Sequence, residues 1–204
     1  MDKAEYWLLS SAVETPQTAL EWLTARRAAH GLAAAALARL VQSLFERGDL
    51  VAQPMRMQPR PTLHGDTFVP TLAQTRAALA GELHLAYALT PRGGARWERH
   101  ARPDWRRYVS RALDTDAQQG SMASTSRDLL REHLEHMQRA HAGLLLAGSE
   151  HWETLMPWEA TYWKVLPVAH RVCFRLNTRR LPAGTPPWPA LPVPWHHPTE
   201  SSRL

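Results

Sequence analysis

The chain has 204 residues and a mass of 23.1 kDa, with 44% hydrophobic and 21% charged residues. That is enough to bury a core over one large domain or two small ones, and it excludes a collagen-like or wholly disordered chain. The net charge of +5 rests on 22 arginines and only two lysines, Lys3 and Lys164, a bias that GC-rich coding explains and that lifts the pI to about 10.0.

From the start, Asp2 to about Val13 reads as a short helix bringing Tyr6, Leu8, Leu9 and Val13 together. Thr15-Pro16 reads as the start of a second helix, with Thr as N-cap and Pro at the first helical position. Leu20 and Leu23 share a face of it, and Gly31 marks its end. The third helix is the clearest: Leu37, Leu40, Val41, Leu44 and Phe45 follow the spacing of an apolar stripe, and Gly48 is placed to close it. Asp49-Leu50-Val51 begins an extended stretch, residues 52–70 read as a Pro- and Met-rich loop, and Pro70-Thr71 opens another short helix ending near Gly81. Strict alternation follows, with Leu83, Leu85, Tyr87 and Leu89 facing one way and His84, Ala86, Ala88 and Thr90 the other, which predicts a half-buried strand. Thr90-Pro91 caps a helix running through Trp97 and His100.

The phrases LVQSLFERGDLVA and YALTPRGGARWERHA, after three helices, resemble a winged-helix domain of the bacterial MarR/PadR kind. The positions that carry the resemblance are Leu44, Gly48 and Leu50, then Leu89, Thr90 and Gly93, and it covers about residues 3–101. The wing departs from that pattern through an insertion of some thirty residues that includes the helix near 71–80. What the resemblance implies is a DNA-binding transcription regulator.

The second half resembles no family by its motifs. Pro103-Asp104 breaks the helix before it, and Arg107–Leu113 and the GSMAST stretch read as strands. Thr125 to Asp128 fits a capping box opening a helix with Leu130, Leu134 and Met137 on one face. Val165–Leu176 is extended, with Val172, Phe174 and Leu176 on one side and Arg171, Cys173 and Arg175 on the other. From Leu181 on, seven of 24 residues are proline, so that stretch should be extended and loosely ordered. The expected fold class is thus α+β: a winged helix-turn-helix domain over 1–102, a small α+β module over 103–180 packed on it, and a Pro-rich tail over 181–204.

Candidate function follows from four groups of residues. A helix-turn-helix reader needs Arg, Lys, Asn or Gln on the leading turns of its recognition helix to bond base edges. Here Gly31, Ala34, Ala35 and Ala38 stand opposite the apolar stripe, and only Arg39, Gln42 and Ser43 follow. Phosphate contacts are expected from Arg26, Arg27 and His30 before the helix, and from Arg56 and Arg60 in the wing region, giving salt-sensitive binding with weak base readout. The alanine face is expected to pack on the second half of the chain or on a dimer mate.

His133 and His136, with Glu132, Glu135 and His141 near them, do not match a zinc-binding spacing and read as a solvated helix face. Trp152, Trp158, Tyr162 and Trp163 fall within a dozen residues; core packing explains such a cluster, and so does a partner surface built on Trp158, Tyr162 and Trp163. Cys173 shares a strand face with Arg171 and Arg175 but has no recognisable His and acid beside it in sequence. A deep pocket lined by Cys173, a His and a carboxylate would bring an enzyme back into consideration.

The sequence therefore points to a non-enzymatic, cytoplasmic binding protein with no cofactor or metal and no membrane partner, since no apolar run approaches the ~18–20 residues a bilayer span needs. Double-stranded DNA is the first expected partner. A protein partner or homodimer is the second, with the winged helix serving as the scaffold of an adaptor or toxin-immunity-type protein.

Overall fold

The computed structural model describes residues 1–18, 31–56, 62–114, 116–177 and 195–196. The chain is α+β, with five α-helices and three antiparallel sheets among those residues. It divides into two compact units. The first comprises Met1–Arg102 together with Thr161–Lys164, and the second Pro103–Ala160 with the chain from Val165.

In the first unit α1 spans Lys3–Ser11 and opens on a capping box: Asp2 Oδ1 accepts from the Glu5 amide at 2.8 Å, and Glu5 Oε2 accepts from the Asp2 amide. The strand β1, Gln17–Thr18, follows. The expected helix start at Pro16 is thereby corrected, because the two residues after it are extended and pair with a later strand; Leu20 and Leu23 lie outside the described residues. Helix α2 spans Ala34–Glu46 and buries Leu37, Ala38, Val41, Leu44 and Phe45. Gly48, at φ +70°, closes it as expected, since glycine enters a left-handed turn without the steric cost a side chain carries.

The strand β2, Leu50–Arg56, runs well into the stretch expected to be loop, because pairing to a neighbour outweighs its Pro and Met content. After β3, Thr62–Leu63, comes helix α3, Leu72–Leu79, with a capping box of Thr71 and Gln74. β4, Leu85–Leu89, pairs with β2 from Leu50↔Leu89 to Pro54↔Leu85. The sheet order is β1-β4-β2-β3. β4 is central, so Ala86 is buried as well as Leu85, Tyr87 and Leu89, and the strand is not half-buried as its alternation suggests. Helix α4, Pro91–Ala101, closes the run with Thr90 as N-cap.

Two features lock this unit. Thr90 donates to the Gly48 carbonyl at 2.6 Å, and a Cβ on Gly93 would overlap the Asp49 carbonyl oxygen, so α4 lies hard against the α2–β2 turn. Beside it sits a charge quartet. Arg47 bonds Glu5 at 2.6 Å and Asp49 at 3.2 Å, and Arg96 bonds Glu5 at 2.7 Å and Asp49 at 2.6 Å. Both carboxylates are buried, and each has two guanidinium partners, as buried charges require.

The second unit begins with a 3-10 turn at Trp105–Arg107 and strands β5, Ser110–Asp114, and β6, Gln119–Ser124. Helix α5, Arg127–Ala140, is capped by Ser126, not by Thr125. The Thr125 hydroxyl is turned toward the Trp105 carbonyl, and Ser126 takes the Leu129 amide instead. Strands β7, His151–Leu155, β8, Trp158–Thr161, β9, Lys164–Leu166, and β10, Ala169–Arg175, follow. The main sheet has the order β5-β6-β10-β7, and β8-β9 form a separate pair. One face of the main sheet packs on α5 through Met122, Val172 and Phe174 against Leu130, Leu134 and Met137.

His133 is 4% exposed within that helix face. The expectation of a solvated histidine pair is corrected for it: at i+3 from Leu130 it falls on the buried stripe. Most of the Pro-rich tail lies outside the described residues. Trp195 does not fit a loosely ordered tail, being 6% exposed and packed on the rings of Trp105 and Tyr108.

Candidate nucleic-acid interface

The surface expected to meet DNA is the outer side of α2. It starts at Ala33, which supplies no side-chain cap, and presents Ala34, Ala35 and Arg39 as exposed residues. Ala38, expected on this smooth face, is 1% exposed and belongs to the buried side. Helix α3 packs on α2, yet Gly31, Ala34 and Ala35 of the face expected to be packed remain exposed.

Gln42 stands at that junction. Its Oε1 accepts from Thr75 of α3 at 3.2 Å and its Nε2 donates to Glu46 at 3.4 Å. A glutamine with both ends engaged is not set to form the paired bonds that read adenine. Arg39, one turn earlier, is the exposed cation of α2. Arg56, at the end of β2, is exposed too. Arg76 on α3 is a further exposed cation that the sequence reading passed over. It follows Thr75 in the chain, and Arg39 lies three residues before Gln42. Its signal in the sequence is its place on the short helix expected near 71–80. Arg26, Arg27, His30 and Arg60 lie outside the described residues.

Comparison with protein-family models, curated proteins and solved structures finds no match.

The aromatic residues named as a partner surface are placed differently from one another. Trp158 is 4% exposed and stacks on Tyr108, so it offers a partner little surface. Tyr162 and Trp163 belong to the first unit. The Tyr162 hydroxyl donates to the Ala12 carbonyl at 2.5 Å and accepts from the Leu89 amide at 2.7 Å; burial of that end pushes its acidity well below an ordinary phenol's. The Trp163 indole donates to the Val13 carbonyl at 2.8 Å, and its ring lies where a Cβ on Gly94 would be. Lys164 pairs with Glu98 at 2.6 Å.

These bonds account for the Gly93-Gly94 pair in packing terms. No group of three His, Cys, Asp or Glu side chains among the described residues converges as a metal site would require. No helix among them is long and apolar enough to cross a membrane.

Proposed function

We propose that the first unit is a winged helix that binds duplex DNA, with α2 lying toward the major groove and the β2–β4 hairpin as an enlarged wing. The observation that carries this reading is connectivity. A short strand after α1 pairs with β4, β4 pairs with β2, and β2 follows directly from α2, giving the order β1-β4-β2. That arrangement runs the end of α2 directly into an antiparallel pair, as a winged helix requires.

Exposed Arg39, Arg56 and Arg76 then neutralise phosphates, and Arg26, Arg27, His30 and Arg60 add to them as the sequence suggests. Affinity comes chiefly from phosphates and falls steeply with salt, while base discrimination stays weak because Gln42 is engaged and Ala34 and Ala35 offer no hydrogen bonds. In that role the protein is a transcription regulator whose operator choice rests on DNA shape more than on base edges.

Fluorescence anisotropy with a mixed-sequence duplex at 50 and 200 mM salt tests it. Binding that weakens by ~10-fold or more across that range supports the reading. No binding to any duplex at the lower salt overturns it.

A second reading, a protein-interaction module on the same scaffold, is favoured by one observation: α3 covers part of the helix that would enter the groove, and Thr75 holds Gln42 there. Absence of duplex binding, together with capture of a defined protein partner that Arg39→Ala leaves intact, would favour it.

A further inference from the structure

The second unit carries a cavity of about 400 Å³ on the main sheet, and its lining is unusual in composition. Strand register runs Ala112↔Ser121, Ser121↔Cys173 and Cys173↔His151, one row across all four strands, and all four residues line the cavity. Directly opposed residues on antiparallel strands hold their Cβ atoms about 4.5–5.5 Å apart on the same face. The Cys173 thiol and the His151 imidazole therefore share one wall.

Glu153, two residues along β7 on that face, is bonded by Arg171 at 2.5 Å and accepts from the Cys173 thiol at 3.9 Å, so the carboxylate beside the sulfur is charge-compensated. The next row, Asp114↔Gln119 and Gln119↔Arg175, sets an exposed carboxylate and an exposed guanidinium at two sides of the same cavity. Ala112 and Ser121, both with small side chains, line the wall between them.

We propose that this cavity is a thiol-exchange site, in which Cys173 takes up one half of a zwitterionic, peptide-derived low-molecular-weight disulfide. The thiol proton, held toward Glu153 in the resting site, passes to His151, the cross-strand neighbour of Cys173. The Cys173 sulfur attacks one sulfur of the disulfide, a new S–S bond forms as the old one breaks, and the departing half leaves as a thiolate that takes a proton back. Cys173 is oxidised and the released half is reduced, so electrons balance within the pair. Asp114 receives the ammonium group of the retained half and Arg175 its carboxylate. Cys173 is the chain's one cysteine, so no internal thiol resolves the adduct and an external thiol reverses it. This site is independent of DNA binding by the first unit.

Oxidised glutathione and the neutral hydroxyethyl disulfide are the probes, followed by intact-protein mass spectrometry on the full chain. The expected product is one glutathionyl group per chain, absent in Cys173→Ser. The rate ratio of oxidised glutathione to the neutral disulfide should be roughly three- to tenfold higher in the folded chain than in urea, the yield of two exposed charge contacts. Asp114→Asn and Arg175→Ala should each lower that ratio toward the unfolded value while far-UV circular dichroism stays unchanged. His151→Ala should slow both disulfides alike. An equal ratio in folded and unfolded chains, or a folded Cys173 that neither disulfide modifies, overturns the proposal.

Discussion

Arg96 Nη1 donates to Asp49 Oδ2 at 2.6 Å, tying the middle of α4 to the residue that precedes β2. The same guanidinium reaches Glu5 on α1 at 2.7 Å, so one side chain holds three elements together. Removing it leaves two buried carboxylates with Arg47 alone. Arg96→Ala should destabilise the first unit by about 3 kcal/mol, the cost of leaving two buried carboxylates to share one guanidinium, read from urea denaturation at pH 7.

The quartet also sets a pH dependence. Burial by itself would raise the Glu5 pKa, but the hydrogen bond and charge of Arg47, the charge of Arg96 and the Asp2 amide outweigh it and hold the carboxyl below its ordinary 4.5. A depressed folded-state value means the stabilisation is present above the unfolded pKa and is lost as pH falls through the folded one. Glu5→Gln should be less stable than the parent at pH 7, with the difference shrinking below about pH 4.

Tyr162→Phe removes a hydroxyl that serves the Ala12 carbonyl and the Leu89 amide together. Two backbone groups lose a partner, so a loss of about 1–3 kcal/mol is expected. Gly94→Ala drives a methyl into the Trp163 ring and should cost about as much through overpacking. Thermal melts of the two variants check both values.

His133 acts in the pH window just above that of Glu5, and in the same direction. Burial first, then the charges of Arg111 and His136, lower its pKa from 6.5 to about 4, and its Nε2 has no hydrogen-bond partner among the described residues. The unfolded chain binds the proton more readily, so stability falls as pH drops from about 6.5 toward 4 and the contribution is gone below that. The total is about 3 kcal/mol at most. His133→Leu should flatten that slope in denaturation curves taken between pH 7 and 4, and should be neutral or stabilising at pH 7.

For the proposed DNA contact, Arg39→Ala and Arg76→Ala should each weaken duplex binding alike across sequences and reduce the slope of log affinity against log salt by about one. A Gln42→Ala change should leave base preference unaltered, because Gln42 is bonded to Thr75 and Glu46. Anisotropy titrations at several salt concentrations separate these outcomes.

Local signals were legible wherever a residue acts through its own backbone. Gly48 closing α2, Thr71 and Thr90 as N-caps, and the strand around Tyr87 all follow from short-range rules. What could not be read is set by partners distant in sequence. Ala38 was expected on a face packed against the second half or a dimer mate, and nothing local says that α3 packs on α2. Thr125 and Ser126 both had capping chemistry, and the Trp105 carbonyl decided between them. Pairing of Cys173 with His151 depends on strand register across a turn-rich stretch, which periodicity does not fix. The length of strand β2 was hidden by its prolines and methionines.

The first unit is discontinuous along the chain, since Thr161–Lys164 completes a structure otherwise built from Met1–Arg102. During synthesis the N-terminal stretch leaves the ribosome with the carbonyls of Ala12 and Val13, the amide of Leu89 and the slot over Gly94 unfilled. At ordinary elongation rates the missing tetrapeptide arrives roughly 3–12 s later. Vectorial synthesis therefore presents residues 1–102 for that interval without the side chains that occupy those sites, and a chain cut short before residue 161 would lack them altogether.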